Sequence, residues 1–255
     1  MKKIGGKVIC IASSKGGIGK TIFATNLAGV YDFLKKKVLL IDMDLSCGGI
    51  SVLLNLEKSK TIYNLFDDIL NNRFKNVEDY VYHYSSYIDI LPSCKDPRQG
   101  NKIDGKIVEQ IINAYRLYYD VIILDTTHLP VTSTLMSLEM ADDILYMISD
   151  NIQDLKNSYN MLSILDDMSK SNVKVVLNNA YCNEKNYFSK FDIKNVIKHN
   201  IDYILPNSMY IHNINKFIMD GKILVLNNKL SFKNNQDREL LIKIASSLME
   251  DNDEK

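Results

Sequence analysis

The sequence predicts an α/β fold in which a doubly wound, mostly parallel sheet carries helices on both faces. Short apolar, β-branched runs recur along the 255-residue chain, and helical patterns separate them. The runs are continuously apolar, which is typical of strands buried on both faces of a parallel sheet. The intervening segments are long enough for crossover helices. The expected strands are 7–12, 38–41, 88–91, 121–124, 144–148, 173–177, 203–205 and 223–226.

Three of the intervening segments show the spacing of amphipathic helices. Residues 20–35 carry apolar side chains three or four positions apart, and so do residues 153–168 and 236–249. No internal repeat or low-complexity linker interrupts the alternation of strands and helices. We therefore expect a single domain over residues 1–255, with its ligand at the carboxyl ends of the strands.

Composition excludes several functional classes. Lys plus Arg and Asp plus Glu balance at 31 each, so a strongly basic surface for nucleic acid is not expected. We expect no signal peptide, and no run approaches the ~20 apolar residues of a membrane span. The cysteines lack zinc-site spacing, which favours free thiols in a reducing cytoplasm. They are Cys10, Cys47, Cys94 and Cys182.

A glycine-rich stretch follows the first predicted strand. Residues 14–21 read Ser-Lys-Gly-Gly-Ile-Gly-Lys-Thr and lead into the first predicted helix. In such a turn backbone N–H groups converge on one point, and the helix N-terminus adds a positive dipole. Lys20 contributes a charge and Thr21 a hydroxyl that can hold Mg²⁺. The stretch predicts a phosphate cradle, and Lys15 adds a second lysine that an ordinary phosphate loop does not require.

Acidic residues follow two of the predicted strands. Asp42 and Asp44 come after the second strand, and Asp125 follows the fourth. Beside a Mg²⁺–nucleotide one carboxylate can hold metal-bound water and another can orient the attacking water. The loop 126–130 follows Asp125 and could sense the γ-phosphate. His128 in this loop suggests a catalytic role, but we interpret it as a solvent-exposed loop residue because this chemistry needs no imidazole.

Two later strand ends are candidates for the base of the nucleotide. The sixth predicted strand ends at Asn178, whose amide can read the donor–acceptor edge of adenine. An Asx turn at the strand end explains the same residue equally simply. Pro206 follows the seventh predicted strand and is placed to border the base.

With these motifs the chain resembles the MinD/ParA family of deviant Walker A ATPases. Residues 15–21, Asp42, Asp44 and the strand ending in Asp125 carry the resemblance, and the layout matches over nearly the whole chain. The resemblance implies a P-loop NTPase fold, ATP and Mg²⁺ as ligands, and slow, partner-stimulated hydrolysis. It also implies an ATP-dependent homodimer in which Lys15 reaches the nucleotide of the partner subunit.

The resemblance assigns roles to particular residues. Lys15 and Asp44 are the implied catalytic residues, with Asp44 positioning the lytic water. Thr21, Asp42 and Asp125 are the implied magnesium residues. The implied nucleotide-binding residues are Lys15, Gly16, Gly17, Ile18, Gly19, Lys20, Thr21, Ile22, Asn178 and Pro206.

Within the family, the second half looks most like the TadZ/CpaE branch, which localises the Tad-type pilus secretion machinery. The stretches 137–143, 176–181 and 191–207 carry this looser resemblance. It implies protein partners in a pilus or cell-pole complex and recruitment of a cytoplasmic protein to the membrane face or pole. Thr127 departs from the family, which usually has proline there, and this bears on the geometry of the loop and the rate of hydrolysis.

Three alternative functions stay open. A MinD-like division ATPase would carry a basic amphipathic C-terminal anchor, whereas this sequence ends in acidic residues, so direct membrane anchoring is not expected. A ParA-like partition ATPase would bind DNA through a basic surface, which the loosely scattered cations of the C-terminal third do not predict. A weakly hydrolysing, ATP-dependent scaffold is the third alternative.

Overall fold

Eight strands form one sheet in the computed structural model. The structure describes residues 5–57, 60–170, 172–179, 188–209, 211, 214–226 and 235–250. Cys182 and the acidic C-terminal residues 251–255 lie outside these ranges. The strands are β1 (Lys7–Ala12), β2 (Val38–Met43), β3 (Tyr82–His83), β4 (Ile88–Leu91), β5 (Val121–Thr126), β6 (Asp143–Ile148), β7 (Val173–Asn178) and β8 (Tyr203–Leu205).

The strand order is β3-β4-β2-β5-β1-β6-β7-β8, and all neighbours are parallel except β3 and β4. This arrangement confirms the predicted mostly parallel sheet. The connection that follows β1 leads to β2, on one side of β1. The connection that follows β5 leads to β6, on the other side of β1. The carboxyl ends of β1 and β5 therefore lie at a switch point, where ligands of such sheets bind.

Helices cover both faces of the sheet. The described helices are α1 (Lys20–Phe33), α2 (Ile50–Leu53), α3 (Ile62–Leu70), α4 (Pro97–Gly100), α5 (Gly105–Arg116), α6 (Thr132–Met140), α7 (Ile152–Asp167), α8 (Lys190–Ile197), α9 (Ile214–Asp220) and α10 (Asn235–Glu250). Three short 3-10 helices span Val77–Tyr80, Asn207–Met209 and Leu224–Leu226. Among the described residues no helix is long and apolar enough to cross a membrane.

The core consists of two apolar layers separated by the sheet. Successive strand residues point to opposite faces, so Val8 of β1 belongs to one layer and Ile9 to the other. The first layer includes the buried faces of α5 and α7, and the second includes those of α1 and α10. The three helices predicted from periodicity are therefore confirmed, with ends shifted by at most two residues.

The predicted strand at 223–226 is wrong. Leu224–Leu226 forms a 3-10 helix that packs on α1, where the backbone N–H of Val225 donates to Oδ1 of Asn26 at 2.9 Å. A methyl group at Gly29 of α1 would lie only 2.5 Å from Cγ1 of Val225. The run is apolar because it is buried against a helix, and a short apolar run does not reveal which partner buries it.

Two further details differ from the expected strands. The two-residue antiparallel strand β3 was not predicted, because it is exposed and too short to show a pattern. Strands β2 and β5 continue to Met43 and Thr126, so Asp42 and Asp125 lie within the strands and pair with each other in register. The expectation that these carboxylates follow their strands is therefore corrected.

Candidate functional site

The loop between β1 and α1 is shaped by glycines in left-handed conformations. Gly17 has φ +72° and Gly19 has φ +95°, a region that side chains with a Cβ rarely adopt. Gly19 directly precedes α1, and no side chain caps that helix or places an acid in its first turn. The first N–H groups of α1 are therefore left for a ligand, and their dipole favours an anion.

Lys20 lies in the floor of this loop. It is buried, and its Nζ donates to Oγ of Ser13 at 2.8 Å, while that hydroxyl donates to the carbonyl of Lys15 at 2.8 Å. Burial lowers the pKa of Lys20, whereas the nearby charges of Asp125, Asp44 and Asp154 act in the opposite direction. The ammonium group is thus held on the loop and surrounded by carboxylates.

Asp125 and Thr21 form the part of the site best suited to a cation. The hydroxyl of Thr21 hydrogen-bonds to the Asp125 carboxylate, and Oδ1 of Asp125 is buried without a hydrogen-bond partner among the described residues. Burial raises the pKa of Asp125 to about 6 despite the Thr21 bond and the charge of Lys20. An unsatisfied buried carboxylate oxygen next to a hydroxyl matches the oxygen ligands that Mg²⁺ prefers.

Asp42 stands beside Asp125 and also holds the following segment. Its Oδ2 accepts the backbone N–H of Ile50 at 3.0 Å, which fixes the start of α2. No group of three or more His, Cys, Asp or Glu side chains within the described ranges is arranged to hold a metal ion. A Mg²⁺ ion at Thr21 and Asp125 would accordingly rely on water and phosphate oxygens for its other ligands, as nucleotide-bound magnesium does.

Asp44 lies in the half-exposed loop after β2. Its Oδ1 accepts the backbone N–H groups of Ser46 at 3.3 Å and Cys47 at 3.2 Å, and its carbonyl accepts the hydroxyl of Ser93 at 2.6 Å. The charge of Asp44 acts on both Lys20 and Asp125. The structure therefore brings Asp44 to the site, and its role toward a lytic water stays a prediction.

Asp154 was missed by the sequence interpretation. It lies in the first turn of α7 and is buried; its Oδ2 accepts the backbone N–H of Ser149 at 2.7 Å and the hydroxyl of the same residue at 2.8 Å. Its Oδ1 has no hydrogen-bond partner in the described part of the chain. Burial raises the pKa of Asp154, and the charges of Lys15 and Lys20 lower it.

Lys15 itself is exposed at the edge of the loop. The charge of Lys15 acts on Asp154 in the first turn of α7. In the sequence, an acid at this helical position resembles an ordinary first-turn residue, so only the three-dimensional arrangement reveals it.

The three residues expected near the base make different contacts in the structure. Nδ2 of Asn178 donates to the carbonyl of Ile18 at 2.7 Å, so this side chain ties the end of β7 to the phosphate-binding loop. Pro206 follows β8, where its carbonyl accepts the N–H of Met209 at 3.0 Å. The side chain of Ile22 lines an apolar cavity with Leu53 and Ile214, among other residues. The contacts of these three residues with adenine stay predictions.

The fold and the site define a class of protein. A parallel α/β sheet with a glycine-rich loop, a buried lysine and a Thr–Asp pair at the switch point is a P-loop nucleotide-binding domain. The sequence profile of a family described as an AAA domain matches residues 6–175. The chain belongs to this family, and within it to the MinD/ParA group of P-loop ATPases.

Two relatives illustrate the similarity. An uncharacterised ATP-binding protein of Methanocaldococcus jannaschii is 30% identical over 138 residues, and the match covers 51% of each chain, so this chain matches about half of that relative. The septum site-determining protein MinD of Thermotoga maritima is 23% identical over 209 residues, covering 80% of this chain and 76% of that protein.

Solved structures share the fold over nearly the full length. A ParA family ATPase of Chlorobium tepidum superposes with a TM-score of 0.81 at 21% identity, covering 94% of this chain and 98% of that one. MinD of Pyrococcus horikoshii, solved with Mg-ADP, gives a TM-score of 0.76 at 20% identity and covers 98% and 100% of the two chains. Both superpositions show that this chain shares the fold of these proteins.

Proposed function

We propose that this protein is an ATP-binding and ATP-hydrolysing dimerisation switch that positions a cellular machine, with residues 1–255 acting as one P-loop ATPase domain. The observation that carries the proposal is the cluster that the half-buried Thr21 forms with the buried Lys20 and Asp125 at the phosphate-binding loop. Its charges and unsatisfied oxygen complement a triphosphate and a divalent cation.

Each residue of the cluster has a defined task in the proposed reaction. Lys20 binds the β- and γ-phosphates from the position in which Ser13 holds it. Thr21 and Asp125 ligate Mg²⁺ directly or through water, and Asp42 supports this site from the neighbouring strand. When bound, Mg²⁺ neutralises the charge that develops on the phosphates. Asp44 orients the attacking water from the loop after β2.

The dimerisation step rests on Lys15. An exposed lysine beside a phosphate cradle is available to a second copy of the chain, and it neutralises phosphate charge only where two subunits meet. ATP therefore favours the dimer and loss of the γ-phosphate weakens that preference, which is a population shift driven by differential binding. Within one subunit the charge of Lys15 also acts on Asp154, whose pKa it lowers.

Phosphate release tests the hydrolytic part of the proposal. We expect Mg²⁺-dependent release by the wild type and a loss of about 100-fold or more for Asp44→Ala, because a group that positions and deprotonates water contributes about that much. Asp79→Ala, an exposed acid in a short 3-10 helix, is the control and should keep the wild-type rate. A rate indistinguishable between wild type and Asp44→Ala would leave only the ATP-dependent scaffold.

For the machine that is positioned, we propose the Tad-type pilus apparatus, with the protein in the cytoplasm and recruited through partners to the membrane face or cell pole. The looser resemblance of residues 137–143, 176–181 and 191–207 supports this choice. Neighbouring genes for a pilus ATPase and an inner-membrane platform would support it, and a neighbouring septum-inhibitor gene would overturn it.

A MinD-like or ParA-like role is the second candidate, because the named relatives carry those functions in their descriptions. Two binding experiments separate the candidates. Strong ATP-dependent co-sedimentation with anionic liposomes would favour the MinD-like role. An ATP-dependent, salt-sensitive mobility shift of DNA would favour the ParA-like role, since binding to phosphates weakens as salt rises. The pilus proposal expects neither result from the purified protein.

A further inference from the structure

The imidazole of His128 lies against the phosphate-binding loop. A methyl group built on Gly16 would be 3.3 Å from both Nδ1 and Cε1 of His128 and 3.7 Å from Cγ. The ring is therefore in packing contact with the backbone of Gly16, and its Nδ1–Cε1 edge faces that residue. Any larger residue at position 16 would push against the ring.

The loop that carries His128 is anchored on β1 at its start and contains a local backbone hydrogen bond at its end. The hydroxyl of Thr126 donates to the carbonyl of Ile11 at 2.8 Å, which fixes the end of β5 on β1, and Thr127 is buried. On the other side the N–H of Val131 donates to the carbonyl of Leu129 at 2.9 Å, directly before α6 begins. The exposed His128 thus projects from a fixed stem to the mouth of the phosphate-binding loop.

Both ring nitrogens of His128 are available for hydrogen bonds. Neither ring nitrogen has a hydrogen-bond or ion-pair partner among the described residues. Nδ1 is one of the two ring atoms nearest to a methyl group built on Gly16, whereas Nε2 is not among the three nearest atoms. Asp125, three residues earlier, is the residue proposed to hold Mg²⁺, which would supply positive charge beside the phosphates. In the proposed ATP site the segment after Asp125 would therefore border the terminal phosphate.

We propose that His128 donates a hydrogen bond from Nε2 to the terminal phosphate of bound ATP and so makes the site prefer ATP over ADP. The inference rests on the proposed ATP site. ADP lacks the phosphate that accepts this bond, so the contact exists in only one of the two nucleotide states. A hydrogen bond to a charged acceptor corresponds to about ten- to hundredfold in a binding constant.

The test compares binding of Mg²⁺–AMP-PNP and Mg²⁺–ADP by titration calorimetry. We expect His128→Ala to weaken AMP-PNP binding about ten- to hundredfold and to leave ADP binding within about twofold. His128→Gln, whose side-chain amide brings an N–H to the place of Nε2, should restore most of the loss. The shorter His128→Asn should behave like His128→Ala. Leu129→Ala, an exposed residue of the same loop, is the control and should match the wild type.

The outcomes separate this inference from the proposed function. Equal changes in AMP-PNP and ADP binding, no change in either, or a His128→Gln variant no better than His128→Asn would overturn the role of His128. A wild type that binds neither nucleotide would overturn the proposed function itself. If His128→Ala loses its far-ultraviolet circular dichroism, the comparison of the Gln and Asn variants decides in its place.

Discussion

Replacing Asp125 by asparagine should stabilise the nucleotide-free protein at neutral pH. The Asp125 carboxyl is buried, and burial raises its pKa from 3.8 to about 6. The folded state therefore binds the proton more tightly than the unfolded chain. As a result, wild-type stability falls as pH rises from about 4 to about 6. Above that range the carboxylate is ionised in the folded state, and the full loss of stability persists.

The size of the effect follows from the pKa difference. About two pKa units, at about 1.4 kcal/mol each, correspond to about 3 kcal/mol of unfolding free energy. About half of this difference, ~1.4 kcal/mol, develops between about pH 5 and about pH 8. Asparagine has no charge to desolvate, and its side-chain oxygen can still accept the Thr21 hydroxyl. From about pH 5 to about pH 8, the unfolding free energy of the variant should therefore rise by ~1.4 kcal/mol relative to that of the wild type.

Urea unfolding of both proteins at several pH values, with chelator and without nucleotide, measures the effect. Titratable groups that do not interact with Asp125 cancel in the difference between the two proteins. Glu109→Gln on the exposed side of α5 is the control for replacing a carboxylate by an amide outside the site. Mg²⁺ with ADP should stabilise the wild type more than Asp125→Asn, which lacks the metal-binding carboxylate. A pH-independent difference for Asp125→Asn would refute the reasoning.

Two further substitutions test the supports of the site. Gly29→Ala should destabilise the protein by about 1–3 kcal/mol in thermal or urea unfolding. The added methyl group would lie 2.5 Å from Val225 and 2.7 Å from Ile223, whose branched side chains are stiff at χ1. A variant as stable as the wild type would contradict the packing of 223–226 on α1. Asn178→Ala should cost about 1–3 kcal/mol and weaken nucleotide binding, since it leaves the carbonyl of Ile18 without its buried donor. If it alters nucleotide binding with unchanged stability, Asn178 contacts the base and does not brace the loop.

The parts of the fold that could be predicted are those in which one residue pattern has one structural meaning. Continuous apolar runs such as Val121–Ile123 are buried on both faces, and the structure places them in the middle of a parallel sheet. The same reasoning fails at 223–226, because burial against α1 produces the same apolar pattern as burial in a sheet. The pattern reports burial, and the partner that causes the burial is a property of the whole fold.

The residues of the candidate site also fall into those that the sequence could predict and those that it could not. The residues of the phosphate-binding loop could be predicted because glycines, lysine and threonine at fixed spacing act on one ligand within one turn. Asp154 and His128 approach that loop from α7 and from the segment after β5. The sequence predicts that the segment 126–130 could sense the γ-phosphate, but nothing local marks Asp154 or the packing of the His128 ring on Gly16. Asn178 was expected at the base, but the structure gives its amide a backbone partner in the loop.

The central claim is an ATP-controlled dimer completed by Lys15, and sedimentation tests it most directly. The wild type and Lys15→Ala are each measured with Mg²⁺–AMP-PNP, with Mg²⁺–ADP and without nucleotide. We predict that AMP-PNP alone moves the wild type from the 29.2 kDa of one chain toward twice that mass, and that Lys15→Ala stays at 29.2 kDa in all three conditions. Equal dimerisation of both proteins, or a wild-type mass that does not respond to AMP-PNP, would contradict the claim.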